Sequence, residues 1–582
     1  MQIRISRRES EAAINLPEDL HPVLRRIYAS RDIRSAEDLD YSLNGLFPFD
    51  KLTDIDKATV LLCDAIQNQK RILIVGDFDA DGATSTTVAI RGLTAMGARQ
   101  VQYLVPNRFE YGYGLSPEIV EVAASMQPQL IITVDNGIAS MEGVAKARSM
   151  NIDVLITDHH LPGKVLPEAN AIVNPNQPGD QFPSKSLAGV GVMFYILIAL
   201  RGKLRENEWF GSQGIREPNL AELLDLVALG TVADVVPLDR NNRILVAQGL
   251  ARIRSDRCSE GIRALLKAAK RSLGNITAQD LSFSVGPRLN AAGRLDDMSL
   301  GIECLLSDDP DKARQFARQL DNLNHERRQI QAEMHDQALD DLELMEFEDK
   351  DSIPNGICLF NEQWHQGVVG ILASRIKDRL HRPVIAFACD RDGYLKGSAR
   401  SIHGIHIRDV LDLIANQFPD IIDRFGGHAM AAGLTIRLEN LDKFRQLFNE
   451  SLDMFMKDLT PGNALLSDGE LSSQDISMEL AWQIRRGGPW GQGFPEPLFD
   501  GEFEILNSRI VGEKHLKMQL RNTDCHRVIE AIAFNNTDEH WPENYSRVKT
   551  AYRLDINEFA GRQQLQLVVD YIEPLTDINN NT

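Results

Sequence analysis

The stretch from Arg71 to His160 constrains the fold more than any other part of the chain. An apolar run, RILIVG, breaks into the acidic turn DFDADG, and VQYLVP, LIITVDNG and DVLITDHH repeat the pattern. Helical patterns run between them, from about Ser116 to Ser125 and from about Ser140 to Met150. Strands of four to six residues alternating with helices of ten or so specify a parallel sheet with helices on its faces. In such sheets chemistry gathers beyond the carboxyl ends of the strands. That is where this chain places its acids: Asp77, Asp79 and Asp81 in the first turn, Asp135 in TVDNG, and Asp158, His159 and His160 in TDHH. Asp234, in GTVADVVPL, is likewise expected directly after an apolar strand or in a turn.

Three carboxylates at alternate positions repel one another and raise one another's pKa unless a cation neutralises them. Oxygen ligands with one imidazole suit Mn²⁺ or Mg²⁺ better than zinc, which prefers sulfur and nitrogen. Six candidate ligands are enough for two such ions sharing a bridging carboxylate, an arrangement that serves phosphoryl chemistry. Simpler readings compete for each part. A lone Asp135 after a strand is more often a cap than a ligand, and a lone His–His pair says less still. DxDxDG also opens an EF-hand loop, but Val88 stands where that loop needs its twelfth-position Glu, and no helix precedes it.

Taken in order, DFDADG, VDNG, DHH and GTVAD resemble the four motifs of the DHH phosphoesterase superfamily. The likeness continues through GPRLNAAGR (286–294), EQWHQGVVGILASR (362–375), GSARS (397–401) and FGGHAMAAG (425–433). PNRFEYGYGL (106–115) and GPWGQGFPEPLF (488–499) narrow it to the branch of single-stranded-DNA exonucleases. The resemblance spans about residues 45–575. It implies that Asp77, Asp79, Asp81, Asp135, His159 and Asp234 hold two Mn²⁺ or Mg²⁺ ions, with Asp135 as the bridge. Asp158 would steer the imidazole of His159. His160 would face the scissile phosphate, either stabilising charge or helping to protonate the leaving oxygen.

The same resemblance implies a substrate grip. Arg108 follows a strand end. Arg288 and Arg294 flank the small residues LNAAG. Ser398 and Arg400 offer a hydroxyl and a guanidinium to a phosphate. Gly426, Gly427 and His428 are expected to turn backbone amides toward an anion. It further implies 5′-to-3′ degradation to 5′-mononucleotides in DNA repair and recombination. The expected partners are single-stranded DNA, a helicase and a single-strand-binding protein, for a protein acting as a monomer. Two alternatives stay open: a DHH phosphodiesterase for short oligonucleotides or cyclic dinucleotides, and a non-catalytic single-strand-binding scaffold. The smaller-substrate relatives typically end after the second lobe, and a dead scaffold is expected to have lost ligands.

The expected architecture is α/β: a parallel-sheet DHH domain (51–306) after an N-terminal segment (1–50), a long connecting helix (307–350), a second α/β domain (351–460), and an OB-like barrel (461–582). Residues 308–349 contain no glycine and one early proline, with Asp308 or Asp309 near the N-cap. FEILNSRIV, HLKMQLRN, RVIEAIAFN, KTAYRLDINEF and QLQLVVDYIEP read as five barrel strands. Most of the barrel's aromatics read as core as readily as stacking platforms, whereas Trp490, in a Gly/Pro-rich turn, is the better candidate for exposure. KLRENEWFGSQGIR (203–216) reads as a surface insertion.

Bulk properties exclude little but direct much. Six scattered cysteines without a CxxC pair argue against a disulfide framework or a zinc knuckle. The N-terminus lacks the apolar core of a secretory signal, and the apolar stretches are too short to span a membrane. A cytoplasmic protein is expected. A net charge of −20 runs against nucleic-acid binding as a global sum, but binding answers to local potential, and carboxylates that ligate cations do not count against it.

Overall fold

The computed structural model describes residues 4–9, 15–107, 114–344, 354–390, 393–456, 464–512, 515–522, 527–534, 546–559 and 562–575. The chain divides into two compact units. One comprises Met1–Leu289, Met298–Ala317 and Asn463–Thr582, the other Asn290–Asp297 and Arg318–Gly462.

The first unit opens with β1 (Arg4–Arg7) and is built on a five-stranded parallel sheet: β2 (Ile72–Gly76), β3 (Val101–Leu104), β4 (Leu130–Val134), β5 (Asp153–Thr157) and β6 (Ala171–Val173). The order is β3-β2-β4-β5-β6, every pair parallel. β2 and β4 are buried along their whole length, which is why they carry no polar alternation. One face packs on the helices Pro117–Ala124 and Met141–Ser149 through Leu73, Val75, Ile131 and Val154. The helices Ala80–Ala95, Gly189–Glu206 and Leu224–Ala233 pack on one another.

Pro310–Leu344 is a single helix of 35 residues. Asp309 caps it, its Oδ1 accepting the amides of Asp311 and Lys312. Proline in the first turn suits a position whose amide has no helical partner.

The second unit holds a mixed sheet of β7 (Ile357–Phe360), β8 (Val384–Cys389), β9 (Tyr394–Arg400), β10 (Arg424–Gly427) and β11 (Ala431–Arg437), ordered β10-β11-β9-β8-β7. One face buries Phe387, Leu395, Leu434 and Ile436 against the helices Ile407–Gln417 and Leu441–Met456. On the other face, the helix Val369–Leu380 packs on β8 and β9.

The chain then returns to the first unit. β12 (Ala464–Ser467) pairs in parallel with β1, and β13 (Phe499–Val511), β14 (His515–Asn522), β15 (Val528–Ala533), β16 (Arg547–Phe559) and β17 (Arg562–Pro574) close a barrel. All five strands lie where their alternation predicts. Phe494, Phe499, Phe503 and Tyr552 are buried, whereas Phe534 is exposed. The Phe559 side chain lies outside the described residues.

Trp490 corrects an expectation. Its Gly/Pro-rich turn suggested exposure, yet only 6% of it is accessible. It stacks on Phe494 at 5.0 Å and Tyr28 at 6.0 Å, and its indole N–H donates to the Ile484 carbonyl at 2.8 Å. The insertion is mostly exposed, as expected. It is nonetheless fastened by Phe210, which is buried, and by Trp209, whose Nε1 donates to the Met96 carbonyl at 2.9 Å.

Candidate metal centre

The acids converge because parallel strands of one sheet end on one edge. Asp77 follows β2, and its Oδ1 accepts the Phe78 amide at 2.7 Å. Asp79 caps the helix Ala80–Ala95, accepting the amides of Asp81 and Gly82 at 2.9 and 3.0 Å. Asp135 follows β4 with φ at +62°, a left-handed conformation that a non-glycine residue rarely adopts. Asp234 departs from the expected strand end or turn: it caps the C-terminus of the helix Leu224–Ala233. Carbonyls point outward there, so the helix dipole adds to the cost of ionising it.

Ligand atoms of Asp77, Asp79 and Asp135 lie within 4.8 Å of one another, as do those of Asp81, His159 and Asp234, and those of Asp135, His159 and His160. His159 Nε2 stands 3.1 Å from Asp135 Oδ1 and 3.5 Å from Asp234 Oδ2. All six expected ligands are thus brought together, and Asp135 falls in two of the groups.

The electrostatics follow from crowding. Burial, then the charges of Asp81, Asp79, Asp234 and Asp77, push the Asp135 carboxyl well above the usual carboxylate range. Burial and the charges of Asp81 and Asp79 do the same to Asp234. Asp81 rises to about 7 through burial and Asp79, against the opposing amides of Val190 and Gly189. Buried acids that disfavour one another's ionisation, with an imidazole among them, are a donor set that fits hard divalent cations. The residues present therefore fit a pair of Mn²⁺ or Mg²⁺ ions.

Asp81 has a second duty that spacing does not reveal. Its Oδ2 accepts the Gly189 amide at 2.7 Å and its Oδ1 the Val190 amide at 3.0 Å. It thereby fixes the N-terminus of the helix Gly189–Glu206 against the site. Gly189 is required there, because a Cβ would come within 2.6 Å of Asp135 Oδ1.

The expected pairing of Asp158 with the His159 ring is corrected. Asp158 Oδ1 lies 2.7 Å from Nδ1 of His160 and accepts the His159 and His160 amides at 2.7 and 3.0 Å, while Oδ2 accepts the Ile138 amide at 2.9 Å. The adjacent ring belongs to His160, and His159 turns toward Asp135 and Asp234 instead. Burial alone would raise Asp158, but the His160 bond and both imidazoles outweigh it and hold the carboxyl below its usual range. Burial alone would lower His160, yet the bond and charge of Asp158, with Asp77 and Asp234, raise it to about 9.

Two positioning residues escaped the sequence reading. Asn174 Nδ2 donates to the His160 carbonyl at 2.9 Å and Asn176 Nδ2 to the His159 carbonyl at 2.6 Å. They clamp the two-histidine turn from the segment after β6. The signal available was NPN directly after an apolar strand, a turn pattern with no other evident task.

The expected substrate residues are distributed. Arg108 lies outside the described residues. Arg288 is buried in the first unit and donates to the Ser284 carbonyl. In the second unit, Arg294 Nη1 donates to the Gly367 carbonyl at 3.0 Å. Gly426 pairs with Gly433, and Gly433 with Ser398, so these share one sheet face with Arg400 and Lys396. A Cβ at Gly426 or Gly433 would meet nothing within 4 Å, so the face is open at those two glycines. Ser398 and Arg400, by contrast, lie against the helix Val369–Leu380, where a Cβ at Gly370 would come within 2.8 Å of Ser398 Oγ. Arg400 Nη1 donates to Ser398 Oγ at 3.1 Å and to the Ala399 carbonyl at 2.8 Å, and burial lowers its pKa. Of the backbone cradle expected of Gly426, Gly427 and His428, part is taken up by the sheet. The two glycines pair within a β-hairpin, and the His428 amide donates to the Ala431 carbonyl at 2.8 Å.

Residues 71–231 match the DHH family, N-terminal domain, residues 354–454 the DHHA1 domain, and residues 467–571 the RecJ OB domain. The chain is 52% identical over 575 residues to the single-stranded-DNA-specific exonuclease RecJ of Salmonella typhimurium, covering 99% of this chain and 100% of that one. The RecJ of Escherichia coli is equally similar, with the same coverage. The crystal structure of RecJ in complex with Mn²⁺ from Thermus thermophilus superposes with a TM-score of 0.78 at 30% identity, over 96% of this chain and 77% of that one. The Mg²⁺ complex gives 0.73 at 28% identity, over 96% and 76%.

Proposed function

The chain belongs to the RecJ family of single-stranded-DNA-specific exonucleases, and from that premise we propose that it hydrolyses single-stranded DNA from the 5′ end, releasing 5′-mononucleotides. The observation that carries the reading is the convergence of five aspartates and His159 at one edge of the parallel sheet, with ligand atoms within 4.8 Å in overlapping groups. Asp77, Asp79 and Asp135 would hold one divalent cation, and Asp81, His159 and Asp234 the other, with Asp135 close enough to serve both. When bound, such a pair supplies Lewis acidity at the phosphoryl group and eases deprotonation of the attacking water.

The chain's own residues do the rest. Asp158 fixes the His160 ring through Nδ1, and Nε2 is the nitrogen that would meet the substrate. There it holds a proton against the phosphoryl group or its leaving 3′ oxygen. Asn174 and Asn176 keep both histidines in register with the carboxylates. In the second unit, Ser398 and Arg400 present a hydroxyl and a partly desolvated guanidinium beside the first turn of the helix Val369–Leu380 and next to the open strip at Gly426 and Gly433, a pairing suited to the terminal phosphate. Arg108, Arg288 and Arg294 would contribute further phosphate contacts. Among the described residues no helix is long and apolar enough to cross a membrane. The setting we assign is cytoplasmic repair and recombination, with a helicase and a single-strand-binding protein supplying substrate to a monomeric enzyme.

The test is digestion of 5′-labelled and 3′-labelled single strands with Mn²⁺ or chelator, alongside Asp135→Ala. Immediate release of labelled mononucleotide from the 5′-labelled strand, abolished by chelation and by the substitution, is the expected result. An intact strand alongside cleaved dinucleotides or cyclic dinucleotides would replace the proposal with a small-substrate phosphodiesterase. Retention of the strand without cutting would replace it with a binding scaffold.

A further inference from the structure

Outside the carboxylate cluster, the first unit contains a cavity of about 370 Å³, where the helices after the sheet meet the barrel. None of the candidate metal ligands lines it. Five arginines do, Arg254, Arg271, Arg485, Arg486 and Arg553, against three carboxylates. Three of the arginines are already committed: Arg271 to Asp280 at 3.2 Å, Arg485 to Glu558 at 2.8 Å, and Arg553 to Asp570 at 2.8 Å and Glu496 at 3.2 Å. Arg254 and Arg486 have no carboxylate within ion-pair distance among the described residues. Arg254 donates only to the Ile276 carbonyl, at 2.9 and 2.7 Å. Burial, then repulsion from Arg486 and Arg485, holds its guanidinium below the usual arginine range. Like charges gathered on a partly desolvated wall are costly unless an anion shares them.

The same wall carries Phe283, which is 71% exposed. It belongs to a π-helical turn, Leu281–Val285. An inserted residue of this kind shifts side chains from the helical register and recurs at functional sites. A large apolar ring kept in water, beside guanidinium groups that lack an anion, matches the two faces of a nucleotide. The base stacks on the ring and the phosphate meets the arginines. The volume lies at the small-ligand end of the range for binding pockets, about 300–1,000 Å³.

We propose that this cavity binds a phosphorylated nucleoside, with Phe283 as the stacking platform and Arg254 and Arg486 as the phosphate contacts. The inference rests on the single-stranded-DNA reading above for the class of ligand, and it adds a second nucleotide site outside the metal centre. Two sources carry the same chemistry: a free mononucleotide, which is the product of that reaction, or a nucleotide unit within a bound strand.

The experiment uses the full chain in chelator, so that nothing is cut. Titration with dTMP is followed by calorimetry and titration with a fluorescein-labelled 16-mer of thymidylate by anisotropy, for wild type, Phe283→Ala and Arg486→Ala. Thermal melts check that both surface variants fold. A loss of at least fivefold in dTMP affinity in both variants assigns a free-nucleotide site. The same loss for the 16-mer, with dTMP unbound throughout, assigns a foothold on the strand. Affinities within twofold of wild type for both probes would overturn the proposal. So would an acidic heptapeptide that competes with both probes and depends on the same two residues more steeply than they do, since the site would then be a peptide site. Cleavage by wild type in Mn²⁺ is read separately. If it cuts nothing, the exonuclease reading fails, while the two titrations still decide the cavity.

Discussion

Asp135, Asp234 and Asp81 each carry a raised pKa for the same reason, burial among like charges, and this gives the metal-free protein a pH dependence of definite sign. Their folded-state pKa values lie above the unfolded ones, so the folded state binds these protons more tightly. The stability they contribute is fully present below the ordinary carboxylate range and is lost as pH rises through about 7, the value for Asp81. Divalent cations take the protons' place and bind only the ionised set. We expect the melting temperature of metal-free protein to fall between pH 6 and pH 8, and the increment from saturating Mn²⁺ to grow by several degrees over the same interval. Asp135→Asn removes much of both trends. Differential scanning fluorimetry in matched buffers decides it, and an Mn²⁺ increment that is flat from pH 6 to pH 8 would sink the assignment of these carboxylates as ligands. At this scale the ligand types were legible, because acids grouped at turns after apolar runs have little structural use. The partner of Asp158 was not. Whether a carboxylate turns toward the first or the second of two adjacent histidines depends on ring rotamers, and on Asn174 and Asn176 pulling the turn from another strand's exit.

At the scale of elements, the helix Gly189–Glu206 is part of the site although none of its residues was counted there. Its first two amides are held by Asp81, and its first residue lies against Asp135. Helix and carboxylates therefore position one another, which ties the strained φ of Asp135 to a glycine 54 positions later. Gly189→Ala should displace Asp135 and lower kcat/KM for single-stranded DNA at least tenfold while the protein stays folded. Gly211→Ala, whose Cβ would meet nothing within 4 Å, is the matched control and should leave activity within twofold. Steady-state kinetics with circular dichroism on both variants tests this. Equal activity in the two would show that the helix terminus has slack. Local pattern foretold the strands around the acidic turns, the long helix with a cap at Asp308 or Asp309 and the five barrel strands, since period and punctuation are written in neighbouring residues. The contact between Asp81 and Gly189 spans 108 positions and leaves no periodic trace. The burial of Trp490 has in part the same origin: besides the neighbouring Phe494, its cover includes Tyr28, far away in the chain.

At the scale of the molecule, the two ends of the chain are tied into one unit. β1 pairs with β12, Tyr28 stacks on Trp490, and the Arg31 guanidinium meets Asp468 through two bonds of 2.6 and 2.9 Å. Both side chains of that pair are about 2% exposed or less. Arg31 also donates to the Ile27 and Pro495 carbonyls, and Asp468 accepts the Leu498 amide, so one pair links the first helix, the Trp490 turn and the strand that opens the barrel. Removing Arg31 leaves the buried Asp468 with only the more distant Arg8 Nε, at 3.9 Å, as a cationic partner. Breaking a buried pair typically costs about 3–5 kcal/mol, whereas replacing both partners with apolar groups of similar volume is often neutral. Arg31→Ala should therefore destabilise strongly, and Arg31→Met with Asp468→Leu should recover most of the loss. The recovery cannot be complete, because the Leu498 amide loses its acceptor. Chaotrope unfolding of wild type, both single variants and the pair gives the coupling directly. If Arg31→Ala costs under 1 kcal/mol, the barrel is held by its apolar seam and the ion pair is incidental. If the single variant is costly and the double variant is no better, the pair is needed for its geometry and not only for its mutual neutralisation. The expected outcome, a costly single and a largely restored double, would mean that this charge pair specifies how the N-terminal segment docks while the hydrophobic contacts around Trp490 supply the stability.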